Sequence, residues 1–221
     1  MDIDEIVRLL RKQHGQPERR PCLDPLSELI ATILSQNTSD LNSGRAFEWL
    51  IATFRTWELV ADAHVDEIVA AIAGGGLSRV KAPRIKAILG RIREERDSFD
   101  LSFLGGMPLE EARVWLESLP GVGPKTAACV LLFSLGRPAL PVDTHVYRIA
   151  RRLGLLGDRV SVEVAHRVLQ AMVPAESIYE FHMNMVKHGR KVCRSRRPLC
   201  SGCGLIEDCT YGKTAVREAG G

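Results

Sequence analysis

Three sets of residues in this 221-residue chain have types and spacings that could do chemistry. The first is a single lysine, Lys125, in the string LPGVGPKTAACVLLF over residues 119–133. Pro124 suits the first position of a helix, which puts Lys125 in a first turn, where the positive end of the helix dipole disfavours an ammonium ion. With burial against the apolar residues that follow, this predicts a lowered pKa and a nucleophilic amine able to form a Schiff base. A lysine there would serve equally well to hold a phosphate. The second is Asp143 in PVDTH, placed to cap a helix that starts at Thr144. Capping also holds the carboxylate rigidly, with its charge outward. An amine and a carboxylate at two helix heads suit reaction at an acetal carbon, the amine attacking while the carboxylate stabilises an oxocarbenium ion or takes a proton. The third set is Cys193, Cys200, Cys203 and Cys209, four thiols within 17 residues in the spacing C-x6-C-x2-C-x5-C. Such a set forms a metal site, and its spacing serves either tetrahedral zinc or a [4Fe–4S] cluster.

The elements that must position these residues are helices. PLEEARVWLESL carries acids in its first turn and stops at Pro120-Gly121, and a new helix opens near Pro124. Two helices joined by so tight a turn make a helix-hairpin-helix. The amides of Gly121, Val122 and Gly123, with the helix N-terminus behind them, form an anion site whose natural ligand is a DNA phosphate, held without regard to sequence. Elsewhere LSELIATILSQ, SGRAFEWLIATF, VDEIVAAIA, RIKAILGRIREE, HVYRIARRLGLL, VEVAHRVLQAMV and SIYEFHMNMVKHG repeat apolar residues every three or four positions. Glycine and proline punctuate them at 74–76, 103–108, 136–143 and 173–176. Period-two strands are nearly absent, so the fold class is all-α. Trp49, Trp57 and Trp115 lie within the apolar pattern and are expected in the core.

Composition bounds the function classes. Hydrophobic content of 45% and charged content of 26% are those of a globular protein, and the net charge of +3 is small. Its distribution says more: KHGRKVCRSRR (187–197) is basic without an acid, and Arg148, Arg151 and Arg152 form a second cluster suited to phosphates. No apolar run approaches a bilayer span. The N-terminus carries acids where a signal peptide carries bases, which predicts a cytoplasmic protein. There, six cysteines imply metal or redox chemistry before disulfides. Cys129, within AACVLLF, reads as a buried apolar filler.

LPGVGPKTA followed by PVDTH resembles the helix-hairpin-helix DNA glycosylases, specifically the endonuclease III family, and the resemblance runs from LSELIATILSQ through Cys209. It implies that Lys125 and Asp143 are the catalytic pair. Monofunctional members usually lack the lysine, so its presence implies a bifunctional DNA glycosylase and AP lyase that makes a Schiff base and cuts by β-elimination. The cysteine spacing, with HGR at 188–190 before it, resembles the family's [4Fe–4S] motif. Such a cluster is more structural than catalytic and would present Arg194, Arg196 and Arg197, between the first two ligands, to a phosphate; Arg190 and Lys191, from the basic run 187–197, join the DNA-binding set. Thr144, His145 and Arg148 follow Asp143 on the same helix and join the DNA-binding set. SQNTSD (35–40) resembles the loop that fills the hole left by a flipped base, with Gln36 and Asn37 as candidates. GLSRVKAPRI (76–85) resembles the loop bearing a leucine wedge, here Leu77, with Arg79 and Lys81 near phosphate.

The implied architecture is two helical lobes with a DNA-binding cleft between them. One is a six-helix barrel over 24–137 with the hairpin at about 110–135; the other is an iron–sulfur cluster domain made of 1–23 and 138–221. The implied partner is double-stranded DNA carrying a damaged base or abasic site, engaged by a monomer alongside the nucleoid. Oxidised pyrimidines are the default substrate. SQNTSD and the extended FDLSFLGGMPLEEARVWLES resemble plant 5-methylcytosine glycosylases more closely, which keeps uracil, mismatched thymine and 5-modified cytosine open. Two rival readings are a non-catalytic hairpin module with zinc and a ferredoxin-like electron carrier that binds DNA.

Overall fold

The computed structural model describes residues 2–19 and 22–219, with side chains to 215, and among them every regular element is helical, as the periodicities predict. The chain divides into two compact units: Pro21–Arg137, and Met1–Arg20 together with Pro138–Gly221. The first helix, α1 (Ile3–His14), therefore belongs with the C-terminal half.

In the unit Pro21–Arg137, α2 (Pro25–Ser35) starts where the Asp24 carboxylate accepts the Ser27 N–H at 3.0 Å and Pro25 fills the first helical position. Leu26, Leu29, Ile30, Ile33 and Leu34 are all fully buried, so this helix is apolar almost all round and lies at the centre of its unit. Next come α3 (Asp40–Phe54), α4 (Trp57–Asp62), α5 (Val65–Ala71), α6 (Ser78–Arg96), α7 (Leu109–Glu117) and α8 (Pro124–Cys129), the last continued by a π-helical turn over Val130–Ser134. Helix α2 packs against α3, α6 and α8. The glycine turn at 73–76 presses against α3: a Cβ at Gly75 would lie 2.6 Å from that of Ala46, so no larger residue fits. Helix α6 begins at Ser78 and runs through Pro83, earlier than a proline boundary suggests.

The tryptophans depart from expectation. None is buried, and Trp49 is 53% exposed, lying against Gly74 instead of entering the core. Trp115 meets Phe103 edge to face at 5.1 Å and Trp57 tilts against Phe47 at 6.4 Å, and both are half-buried. The expectation for Cys129 holds: it is buried, and the described cysteines form no disulfide.

In the other unit, α9 (Thr144–Leu153), α10 (Val162–Met172), α11 (Ile178–Lys191) and α12 (Thr210–Ala219) join α1. Asp2 caps α1, whose Ile3, Ile6, Val7 and Leu10 form the buried stripe. That helix packs on α11, where the Arg11 Nε donates to Glu180 Oε1 at 2.6 Å. The central α11 also packs on α9, and its Phe181 and Met185 are fully buried.

Candidate active site

The hairpin turn forms as its glycines require. Gly121 sits at φ +73°, a left-handed conformation that favours glycine, and Gly123 caps α8 in an extended conformation. Pro124 takes the first helical position and Lys125 follows, half-buried in the first turn. Val122 departs from expectation: its side chain is 7% exposed and its N–H donates to the Leu119 carbonyl at 3.1 Å. The turn closes on itself there, so of the three amides that of Val122 is already engaged within the protein. One neighbour of the turn leaves no mark in the local sequence. Arg84 of α6 lies across Gly121, its Cδ 2.5 Å from where a Cβ would stand, and its Nη1 donates to Gln36 Oε1 at 2.7 Å.

Gln36 and Asn37 separate clearly. Gln36 is half-buried with both ends of its amide engaged, since its Nε2 also donates to the Thr126 hydroxyl at 3.5 Å. Asn37 is exposed and left-handed at φ +53°. Leu77 shares both properties, at φ +53° and 52% exposed, and Arg79 beyond it is exposed. Lys81 corrects the sequence reading. It is only 2% exposed, and its Nζ donates to the carbonyls of Leu34 at 2.6 Å and Gly75 at 3.2 Å, which leaves it unavailable to a phosphate. Burial holds its pKa below the ordinary lysine value.

Asp143 is the N-cap of α9. Its Oδ1 accepts the N–H groups of His145 at 2.9 Å and Val146 at 2.8 Å, so the cap engages one carboxylate oxygen and leaves Oδ2 outside these bonds. Thr144 is exposed; His145 is half-buried, and burial lowers its pKa. Arg148 is a second correction. Its Nη2 donates to the carbonyls of Cys193 at 2.9 Å and Gly189 at 3.1 Å, and its Nη1 reaches that of Thr144 at 3.3 Å. The guanidinium braces the chain at the first of the four cysteines, so these donors are committed within the protein. Arg190, Lys191, Arg194, Arg196 and Arg197 are exposed, Arg197 at φ +51°.

Cys193, Cys200, Cys203 and Cys209 line one pocket whose other walls include Ile149, Leu153, Leu205 and Ile206. Among the described residues no three His, Cys, Asp or Glu side chains stand as the ligands of one metal ion would. The donor set nonetheless fits a metal group. Burial, then the neighbouring sulfurs, raises the pKa of Cys200; burial pushes Cys203 up to about 11 and raises Cys209 too. Thiols that resist ionising because they are buried together are relieved by a cation. Donors already point at the sulfurs: Arg152 Nη1 reaches Cys193 Sγ at 3.2 Å, and the Gly212 N–H reaches Cys209 Sγ at 3.3 Å. His188, 1% exposed, lies 3.5 Å from Cys203 Sγ through its Nε2 and 2.9 Å from His14 through its Nδ1. Burial first, and His14 second, push its pKa down to about 4. Neither Arg152 nor His188 announced this role in the sequence, although His188 stands in the HGR string.

Comparison with known proteins agrees with this arrangement. Residues 30–175 match the family model of the HhH-GPD superfamily base excision DNA repair proteins. A protein of Arabidopsis thaliana is 39% identical over 202 residues, covering 91% of this chain, which spans 65% of that relative's length. Endonuclease III of Thermotoga maritima is 37% identical over 222 residues, with 98% of each chain covered. A solved non-covalent endonuclease III–DNA complex superposes with a TM-score of 0.83 at 29% identity over 97% of each chain. The helical fold, the glycine turn carrying Lys125 and the clustered thiols thus occur together in a chain that belongs to the HhH-GPD superfamily of base excision DNA repair proteins and, within it, to the endonuclease III family.

Proposed function

We propose that this chain is a bifunctional DNA glycosylase and AP lyase that removes oxidised or ring-saturated pyrimidines from duplex DNA. Membership of a base excision repair family supports the reaction class. The observation that carries the residue-level reading is Lys125, half-buried in the first turn of a helix that opens directly after a left-handed glycine turn. Phosphate held at that turn brings a deoxyribose within reach of its amine. The Lys125 Nζ forms a bond to C1′ while the C1′–N bond to the base breaks, the base leaving with the electron pair and taking up a proton. Asp143, its carboxylate fixed by the α9 amides through one oxygen, stabilises the positive charge that develops on the sugar. The C1′–O4′ bond then opens as the nitrogen lone pair forms the C1′=N Schiff base, O4′ taking up a proton; loss of a 2′ proton expels the 3′ phosphate and cuts the strand.

Asn37 is the residue that fills the vacated stack, because Gln36 is held from both sides, and Leu77 is the wedge. Gly121, Gly123, Arg79 and the exposed basic residues 190–197 contact the backbone. Cys193, Cys200, Cys203 and Cys209 hold a [4Fe–4S] cluster, which when bound ties the C-terminal segment into its unit and has no part in bond breaking. The protein works as a monomer on chromosomal DNA in the cytoplasm; among the described residues no helix is long and apolar enough to cross a membrane. A panel of duplexes, each with one modified pyrimidine, tests the substrate class under single-turnover conditions. Fastest incision at an oxidised or ring-saturated base supports it. Fastest incision at uracil, mismatched thymine or a 5-modified cytosine overturns it.

A further inference from the structure

Lys81 is a buried cation that the reaction does not use. It is among the largest fully buried side chains, and among the described residues no carboxylate forms an ion pair with it. Its ammonium instead bridges two carbonyls far apart in sequence, Leu34 and Gly75. Taking an ammonium out of water costs several kcal/mol, whereas a methionine would fill the same volume without that cost. The two carbonyls explain what the cation adds. That of Leu34 is among the last of α2 and has no partner within the helix, and three residues later comes Asn37. That of Gly75 belongs to the glycine turn, and two residues later comes Leu77. Asn37 and Leu77 are both non-glycine residues in the left-handed region, each at φ +53°, and both expose their side chains. For leucine such a conformation costs on the order of 1–2 kcal/mol and persists only where the surroundings enforce it, whereas asparagine adopts it more readily.

We propose that Lys81 is a positioning residue for base extrusion: its ammonium ties the end of α2 to the glycine turn, so that Asn37 and Leu77 are presented to DNA as one fixed pair. The proposal rests on the reading that these two side chains enter the base stack. Lys81 never touches DNA. It acts by removing the freedom of two loops relative to each other, so its effect belongs to substrates in which a paired base must be forced out, and not to those already unpaired.

The test compares wild type with Lys81→Met at a temperature below both melting points, on one oxidised pyrimidine in two settings: paired within a duplex and unpaired in a bulge. Borohydride trapping at a preformed abasic site is the third measurement. Lys81→Met lowers single-turnover excision of the paired base by about tenfold or more, while bulge excision and trapping stay within about threefold of wild type. An equal loss in all three measurements, or no loss at the paired base, overturns the proposal. Asn37→Ala and Leu77→Ala, run alongside, separate it from the reading beneath it. If neither slows paired-base excision, the loops do not invade the stack and both fail; if they do and Lys81→Met does not, the positioning role alone fails. Should Lys81→Met not fold, Lys81→Gln, too short to span both carbonyls, is judged by the same ratios. Failure of both to fold assigns Lys81 to stability alone and overturns the proposal.

Discussion

Lys125 and Asp143 differ in how far the fold already engages their side chains. Asp143 has one carboxylate oxygen committed to two backbone amides and the other outside them, so its orientation is set by the helix it caps. The cap is one role of Asp143 and the proposed charge stabilisation a second, and Asp143→Asn separates them. Asparagine caps a helix about as well as aspartate, so the melting temperature should move by no more than about 2 °C. It brings no negative charge to a developing cation, so base release in single turnover should slow by about 100-fold or more. Duplex affinity, read by fluorescence anisotropy, should change little. An affinity loss as large as the rate loss would make Asp143 a structural cap and nothing more. Arg148 shows the converse: a residue of ordinary DNA-binding type whose guanidinium is engaged by the backbone carbonyls of Thr144, Gly189 and Cys193 and by the His145 ring.

At the scale of elements, the hairpin is held by more than its own sequence. Gly121 combines a left-handed conformation with the close approach of Arg84, which also reaches the Gln36 carboxamide. Gly121→Ala therefore meets two obstacles, one in the backbone and one in the Arg84 side chain. We expect it to weaken duplex binding by about tenfold and to cost about 1–2 kcal/mol in stability. Adding Arg84→Ala should recover the steric part of the stability loss and leave the backbone part; a double variant no more stable than Gly121→Ala would show that Arg84 is not the obstacle. The sequence made much of this scale legible. Long helices declare themselves by apolar spacing, and Pro124 and Asp143 mark two helix starts by their own chemistry. What it hid has physical causes. Helix α4 has six residues, too few to show a period, and α12, TYGKTAVREA, has too few apolar residues. Lys81 looked like a phosphate ligand because its two carbonyl partners lie 47 and 6 residues away and leave no trace in local pattern. Gln36 and Asn37 are adjacent polar residues, and only the distant Arg84 and Thr126 distinguish them.

Across the whole molecule, the two compact units are built differently. Pro21–Arg137 has an apolar core centred on α2, whereas the unit containing Pro138–Gly221 gathers four thiols around one pocket near its C-terminus. The purified protein should be brown, with broad visible absorption and about four iron atoms per chain. Chelating the iron under reducing conditions should lower the melting temperature and increase proteolysis within residues 193–215 first. A colourless protein with one stoichiometric zinc would contradict the cluster assignment. Lys125 as the nucleophile is put to the test by borohydride trapping on a duplex with a single abasic site. Wild type should yield a covalent protein–DNA adduct that peptide mapping places on Lys125, and Lys125→Ala should yield none. No adduct with wild type, or full trapping with Lys125→Ala, would contradict it.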